Sequence, residues 1–310
     1  MLKSKKIKNP IYFELKKLNL ISDKNLDVIN DKTRDKKIKV ILDKKTKIIF
    51  LEKYITTNKY YSSLKHKNDK RQIIEKSKGL FANVKTRRGS IRIASLDDDN
   101  RRRVQFKKIL KNKNILDFGC GWGGFLKNLK NYKSLSGIEL RLECIRHIRN
   151  KIKKINISNN INYFQKKFDV ITMFHVLEHL PFQIDTLKVL NSRLKKKGKI
   201  IIEVPHANDF LIQQKELKEF KDFTFWSEHL ILHTYQSLNT ILKKSGFKKI
   251  NISFYQRYNF ANHLGWFLKK KPGGHKLFEK FINKNLEDSY SENLKRLRQT
   301  DTLIAIAEKI

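Results

Sequence analysis

The sequence predicts an α/β fold: a mostly parallel sheet covered by helices on both faces, with a strand pair at one edge. Three observations carry that prediction. From Lys113 onward, short apolar runs alternate regularly with helical stretches, as strands buried on both faces do. The first run, Ile115-Leu116-Asp117-Phe118, breaks into the glycine-rich turn Gly119-Cys120-Gly121-Trp122-Gly123-Gly124, and a helix starts around Gly124. Near the carboxyl end, Phe247–Tyr258 and Thr302–Ala307 read as a strand pair at the sheet edge. A small α+β region is expected before this sheet, and a helical insertion near the C-terminus.

The elements follow in order. Residues 1–100 are expected to form an accessory region, and 101–310 the main domain. Lys39 to Leu51 reads as a hairpin, two β-rich runs around a polar turn. The aromatic cluster Tyr54, Tyr60 and Tyr61 is expected to pack this region against its neighbour, with base stacking as the alternative. Asp97-Asp98-Asp99-Asn100-Arg101-Arg102-Arg103 starts the helix leading into the main domain, its acids at the end the helix dipole favours. The sheet strands are Ile115–Phe118, Ser134–Leu140 with Glu139 at its end, a short third at Ile161–Phe164, and Phe168–Phe174. A helix then runs through about Lys196, and Gly198–Val204 is the fifth strand, stopped by Pro205. Tyr235–Lys244 is helical with Gly246 as its cap. The insertion Asn259–Gln299 separates the last two strands; connections of that length in a compact domain serve as lids or binding elements.

At 310 residues the chain holds one large α/β domain plus a smaller region, and 39% hydrophobic residues suffice for a core. The net charge of +39 admits two readings. One is a nucleic-acid partner. The other is a compositional bias of the source proteome, favoured here because the lysines run from end to end instead of clustering. Cys120 and Cys144 lack metal-type spacing and are expected to be reduced thiols. The start Met1-Leu2-Lys3-Ser4-Lys5-Lys6 is basic without a following apolar signal core. No run approaches the roughly 18 apolar residues of a membrane span, so a soluble, cytoplasmic protein is expected.

The glycine turn is compatible with two cofactors. Gly119, Gly121 and Gly124 satisfy the G-x-G-x-x-G spacing of a dinucleotide site, and Glu139 lies near the distance of a ribose-binding acid. Asp117 points the other way. A pyrophosphate disfavours a carboxylate beside it, whereas a cofactor with a sulfonium and a free amino group accepts one.

The string Asp117-Phe118-Gly119-Cys120-Gly121-Trp122-Gly123-Gly124 resembles the first motif of class I S-adenosylmethionine (SAM)-dependent methyltransferases. The resemblance extends from about Arg101 to Lys309. Gly137-Ile138-Glu139-Leu140 resembles the second-strand motif, and Phe168–Ile171 with His175-Val176-Leu177-Glu178-His179-Leu180-Pro181 the fourth-strand motif of the small-molecule branch. Glu228-His229-Leu230, Tyr235–Leu238 and Ser245–Phe247 resemble the helix before the final hairpin. The resemblance implies a Rossmann-like seven-stranded sheet with an antiparallel last strand, and SAM as cofactor. It implies SAM contacts at Asp117, Gly119, Cys120, Gly121, Glu139, Leu140 and Phe174, with Glu139 bidentate to the ribose. Trp122 is read either over the cofactor or as a packing aromatic. An adenine-contacting acid is not evident in the third-strand segment.

Methyl transfer to a hydroxyl needs in-line alignment and a base, and histidine suits that role near neutral pH. His175 is the first candidate, and His206, after the fifth strand, the second. In ubiquinone-type O-methyltransferases the motif carries an acid where this chain has His175, and it has been tied to a divalent ion. No metal is assigned here: Glu178 and His179 are read as capping and packing the helix, and His229 and His233 as one interior helix face. Arg257, Tyr258, Asn262 and His263 open the insertion and are the candidate acceptor contacts; Lys271-Pro272-Gly273-Gly274-His275 lies within it. These strings are similar to ones in methyltransferases associated with bacterial surface-polysaccharide synthesis. The expected function is SAM-dependent methylation, on oxygen, of a small-molecule or saccharide acceptor. RNA methylation and a non-catalytic binding module are the alternatives.

Overall fold

Apolar runs bounded by turns become the strands of three sheets in the computed structural model, which describes residues 7–55, 81–86 and 89–310. In chain order these are β1 (Leu26–Asn30), β2 (Val40–Asp43), β3 (Ile49–Leu51), β4 (Phe81–Thr86) and β5 (Gly89–Ser95). There follow β6 (Asn114–Phe118), β7 (Ser134–Ile138), β8 (Ile155–Ser158), β9 (Phe168–Phe174), β10 (Leu194–Pro205), β11 (Ile231–Leu232), β12 (Phe247–Tyr255) and β13 (Thr302–Lys309). The largest sheet runs β12-β13-β10-β9-β6-β7-β8. β6 pairs in parallel with β7 and β9, and β7 with β8, while the carboxyl-terminal strands are antiparallel. This is the Rossmann-like α/β sheet expected from the sequence.

The chain divides into two compact units. One comprises Thr57–Phe174, Ser192–Ile201 and Lys309–Ile310; the other comprises Met1–Thr56, His175–Asn191 and Ile202–Glu308. In the first, β6 is central, with Ile115 and Leu116 fully buried. Its start is pinned by Asp169 of β9, whose carboxylate accepts from the Asn114 backbone and side chain at 2.8 and 2.9 Å and from Lys195 Nζ at 2.9 Å. The helix Leu96–Gln105 carries Asp97, Asp98 and Asp99 in its first turn, as expected.

Two predicted elements are corrected. The third strand is Ile155–Ser158, and Ile161–Tyr163 is a 3-10 turn. Asn160 accepts the Asn162 N–H and closes that turn, a side-chain cap that competes with strand pairing. The long helix predicted after the fourth strand is a short turn, Leu177–His179, followed by a helix only over Gln183–Arg193, and β10 already begins at Leu194. Pro181 explains the break: it drives Leu180 to extended backbone (φ −87°, ψ 128°).

The second unit contains the sheet β1-β2-β3-β11. The predicted hairpin forms between β2 and β3, with Ile41 opposite Phe50. Asp43 holds its turn, accepting from Lys45 N, Thr46 N and Thr46 Oγ1 at 2.9–3.1 Å. Alternation sends Ile41, Ile48 and Phe50 to one apolar cluster, which also takes the N-terminal helix Pro10–Lys17 through Ile11 and Leu15. Val40, Ile49 and Leu51 face another with Trp266. Tyr54 packs at the margin of the first cluster; Tyr60, Tyr61 and the basic Met1–Lys6 lie outside the described residues.

The insertion is helical, as expected: Phe260–Lys269, Gly274–Phe278 and Lys284–Arg296. Its glycines allow a close helix crossing, since a Cβ on Gly265 would fall 2.5 Å from the Gly274 Cα. Among the described residues no helix is long and apolar enough to cross a membrane.

Candidate functional site

The glycine turn gathers the sequence-predicted cofactor residues of the first unit. After β6 the chain reverses through Gly119 (φ 78°) and Gly121 (φ 55°), left-handed conformations in which a side chain is strained. Gly119 N and Cys120 N both donate to the Ile138 carbonyl at the end of β7, at 2.8 and 3.0 Å. The next residue, Glu139, is 7% exposed and reaches back to the turn, its Oε2 accepting Gly121 N at 2.9 Å. Asp117, Gly119, Cys120, Gly121 and Glu139 therefore converge on one loop. Burial, with Asp117 and Glu139 nearby, pushes the Cys120 thiol well up, so it stays neutral and packs. Leu140 is exposed. Phe174 is held edge-on by Phe125 at 4.9 Å and lies under the Arg102 guanidinium at 4.5 Å. Trp122 packs edge-on to His147 at 5.3 Å.

Asp117 is 4% exposed, and its Oδ1 accepts the Thr172 hydroxyl at 2.7 Å. Burial raises its pKa to about 7, against the opposing pull of Thr172 and Arg102. Because the folded pKa lies above the unfolded value, the folded state holds a proton the unfolded chain has lost between about pH 4 and pH 7. Asp117 therefore costs stability progressively as pH rises through that window, by at most about 4 kcal/mol at 1.36 kcal/mol per pKa unit. Asp117→Asn keeps the acceptor for Thr172 and removes this cost. Urea unfolding is expected to show the variant more stable than wild type at pH 8 and level with it near pH 4; equal differences at both pH values would refute the assignment. Thr172 escaped sequence analysis because a threonine in an apolar strand looks like an ordinary β-former; only the Asp117–Thr172 register exposes it.

In the second unit, His175 follows β9 with φ 53°, a left-handed conformation uncommon for a non-glycine residue. Its amide donates to the Glu203 carbonyl at 2.8 Å. Its Nδ1 lies 3.3 Å from Glu178 Oε1 and its Nε2 3.2 Å from Glu203 Oε1, both carboxylates being fully buried. Burial lowers the imidazole pKa, but the two carboxylates outweigh it and hold the pKa above the ordinary value, with Arg257 opposing them. Glu203 Oε1 is within ion-pair distance, yet Nε2 lacks an aligned hydrogen-bond partner, as does the buried Glu178 Oε2. Leaving a buried polar group unpaired costs about 1–3 kcal/mol.

His229 joins this cluster through the fold. Leu230 N donates to the Glu178 carbonyl at 2.8 Å, and the His179 and His229 rings meet edge-on at 4.8 Å. Burial lowers both imidazole pKa values to about 4. Glu178, His179 and His229 each offer a ligand atom within 4.8 Å of the others, a donor set suited to a borderline divalent ion. The predicted pairing of His229 with His233 on a helix is corrected: β11 lies between them, because Ile231 and Leu232 pair with Phe50 and Ile49 of β3.

His206 is 2% exposed; its Nδ1 lies 2.8 Å from the Thr300 carbonyl, and burial lowers its pKa to about 4. The insertion residues are organised by Asp301, which sequence analysis missed. Its carboxylate accepts from Arg257 N and Tyr258 N at 3.0 and 2.8 Å and from Gln256 Nε2 at 2.9 Å. Tyr258 is 46% exposed, whereas His263 is buried between Gln256 Nε2 (3.1 Å) and the Tyr290 hydroxyl (2.7 Å). Asn262 closes the first turn of its helix through its N–H to Asn259 Oδ1 at 2.9 Å.

Comparison with known proteins places the chain. The tRNA U34 carboxymethyltransferase of Nautilia profundicola is 34% identical over 104 residues, 30% of this chain and 35% of that protein. The mitochondrial ubiquinone biosynthesis O-methyltransferase of Saccharomyces cerevisiae is 34% identical over 99 residues, 28% of this chain and 31% of that protein. The chain thus spans about a third of the length of these two relatives. A solved SAM-dependent methyltransferase from Archaeoglobus fulgidus aligns with a TM-score of 0.48 at 20% identity, over 70% of this chain and 95% of that one. The methyltransferase domain family matches residues 92–252, from the strand before the Asp97–Arg103 helix through most of β12, more than half of the sequence. With the glycine turn, Asp117 and Glu139 inside that span, the chain belongs to the methyltransferase domain family.

Proposed function

We propose that this chain transfers the methyl group of SAM to a hydroxyl of a small or sugar-containing acceptor. The observation that carries the cofactor reading is the convergence of Asp117, Gly119, Gly121 and Glu139 on one loop. The residues fit the group: Gly119 and Gly121 would let a ligand lie against the backbone, Glu139 would accept the ribose hydroxyls, and Asp117 would supply a carboxyl near the cofactor's amino group. Leu140 and Phe174 would line the same site. SAM, when bound, supplies a methyl group activated by a sulfonium. This chain's residues orient the acceptor and receive its proton. His175 is assigned as the proton acceptor, with Glu178 beside its Nδ1 and Glu203 beside its Nε2 to orient the ring and stabilise its charged form. The fully buried His206 is assigned to packing.

The same proposal gives residues 1–100 an accessory role and 259–299 a cap over the acceptor, contacted through Arg257, Tyr258 and Asn262. An anionic saccharide of surface-polysaccharide synthesis suits Arg257, and a cytoplasmic location suits the cofactor. A second reading, RNA methylation, draws on the +39 charge and on the relative that is named as a tRNA enzyme.

Purified protein with labelled SAM and pools of saccharides, small hydroxylated molecules and tRNA tests the readings. Label in a saccharide or small-molecule pool is the expected result. Label in tRNA would replace the acceptor reading with the second one. Absence of SAM binding and of turnover with every pool would leave a non-catalytic module. If tRNA binding collapses between low and moderate salt without methylation, it reflects bulk charge.

A further inference from the structure

The carboxylate assigned to the ribose already holds a full set of donors from its own chain. Glu139 Oε1 accepts from Arg141 N at 3.0 Å and Arg141 Nε at 3.1 Å. Its Oε2 accepts from Gly121 N at 2.9 Å and Arg141 Nη2 at 3.4 Å. A carboxylate offers about four lone-pair sites, so these four donors occupy them all. Two are backbone amides fixed by the local fold. The other two come from a single guanidinium, one to each oxygen, and that is the donor pattern of a vicinal diol.

The placement of Arg141 makes this contact informative. It is the N-cap of the helix Leu142–Lys151, and its side chain makes no capping bond. N-caps favour Ser, Thr, Asp and Asn, which accept from the free amides, and the helix dipole disfavours a cation there. Arginine thus contributes nothing as a cap; its partner is Glu139. The guanidinium also lies along the glycine turn, with Nη2 3.7 Å from where a Cβ on Gly121 would stand.

We propose that Arg141 is an intramolecular stand-in for the ribose diol of the cofactor: it occupies Glu139 in the free protein, swings away when the ribose binds, and so sets cofactor affinity. The proposal rests on the SAM reading of this loop. Its chemistry is an exchange of two N–H donors for two O–H donors on the same two oxygens, with the amides of Gly121 and Arg141 left in place. In the free protein the fork keeps a nearly buried carboxylate paired, which removes the penalty of an uncompensated charge. With its side chain 31% exposed, the guanidinium has a route to solvent once displaced.

Calorimetric titration with S-adenosylhomocysteine, adenosine and methionine on wild type, Arg141→Gln and Arg141→Lys tests the proposal. Arg141→Gln is expected to bind S-adenosylhomocysteine and adenosine about tenfold tighter, a factor equivalent to about 1.4 kcal/mol. Methionine, which has no ribose, is expected to be unchanged. Arg141→Lys, which keeps the charge and loses the fork, is expected to fall between. Equal affinity in all three proteins would overturn the proposal. So would weaker binding of S-adenosylhomocysteine or methionine to Arg141→Gln, because Arg141 would then be a direct ligand contact. If wild type and both variants, shown to be folded by circular dichroism, bind neither SAM nor S-adenosylhomocysteine, the SAM reading itself fails and the proposal with it.

Discussion

Glu139→Ala is expected to abolish measurable SAM binding while leaving the sheet intact. In the proposed complex the Glu139 carboxylate accepts both ribose hydroxyls, and hydrogen bonds to a charged group contribute about 1.5–3 kcal/mol each. Losing two weakens binding by at most about 10²- to 10⁴-fold, since wild type gives up two Arg141 contacts on the same oxygens when it binds. Because Glu139 also holds Arg141 and the Gly121 amide, circular dichroism must show the variant folded before affinities are compared. The substitution also releases Gly121 N from its 2.9 Å contact, which loosens the turn. Glu139→Gln separates the two effects, because its amide oxygen keeps one acceptor for the turn or for the ribose. Its affinity should fall between those of wild type and Glu139→Ala. Unchanged calorimetric binding in Glu139→Ala would remove Glu139 from the site.

His175→Asn is expected to lower kcat by about 10²- to 10⁴-fold on the acceptor found by pool screening, the range a positioned general base contributes. Asparagine is the appropriate replacement because the position has φ 53°, and asparagine tolerates the left-handed region. Affinity for SAM should not change, since the cofactor contacts are assigned to other residues. Glu178→Gln should give a smaller loss in kcat, because the amide still orients Nδ1 but no longer stabilises the imidazolium formed when the acceptor's proton arrives. A fall in SAM affinity that matches the fall in kcat would mean that His175 supports the fold and does not receive the proton.

The glycine turn was legible because its chemistry is local. Tight reversal, close approach of a ligand and an acid at a strand end are all written within Asp117–Glu139. The β2–β3 hairpin was legible for the same reason, since Asp43 closes its turn over three residues. Local competition defeated two other readings. Asn160 turned an apolar stretch into a 3-10 turn, and Pro181 divided what looked like one long helix.

By itself the sequence determined the α/β class, the strand that presents Asp117, the glycine turn and the acid that answers it at Glu139. Each follows from side-chain periodicity or from backbone freedom over a few residues. Only the tertiary structure decided what those groups touch. It set Thr172 against Asp117 through parallel register, and brought Glu203 and Glu178 to either side of His175. It moved His229 from a supposed helix to a place beside His179, and filled Glu139 with Arg141. Most of these pairings join residues far apart in the chain, fixed by strand register and loop closure, which no local pattern encodes. The Arg141–Glu139 contact is short-range, but its meaning depends on counting every donor that the folded loop delivers to one carboxylate.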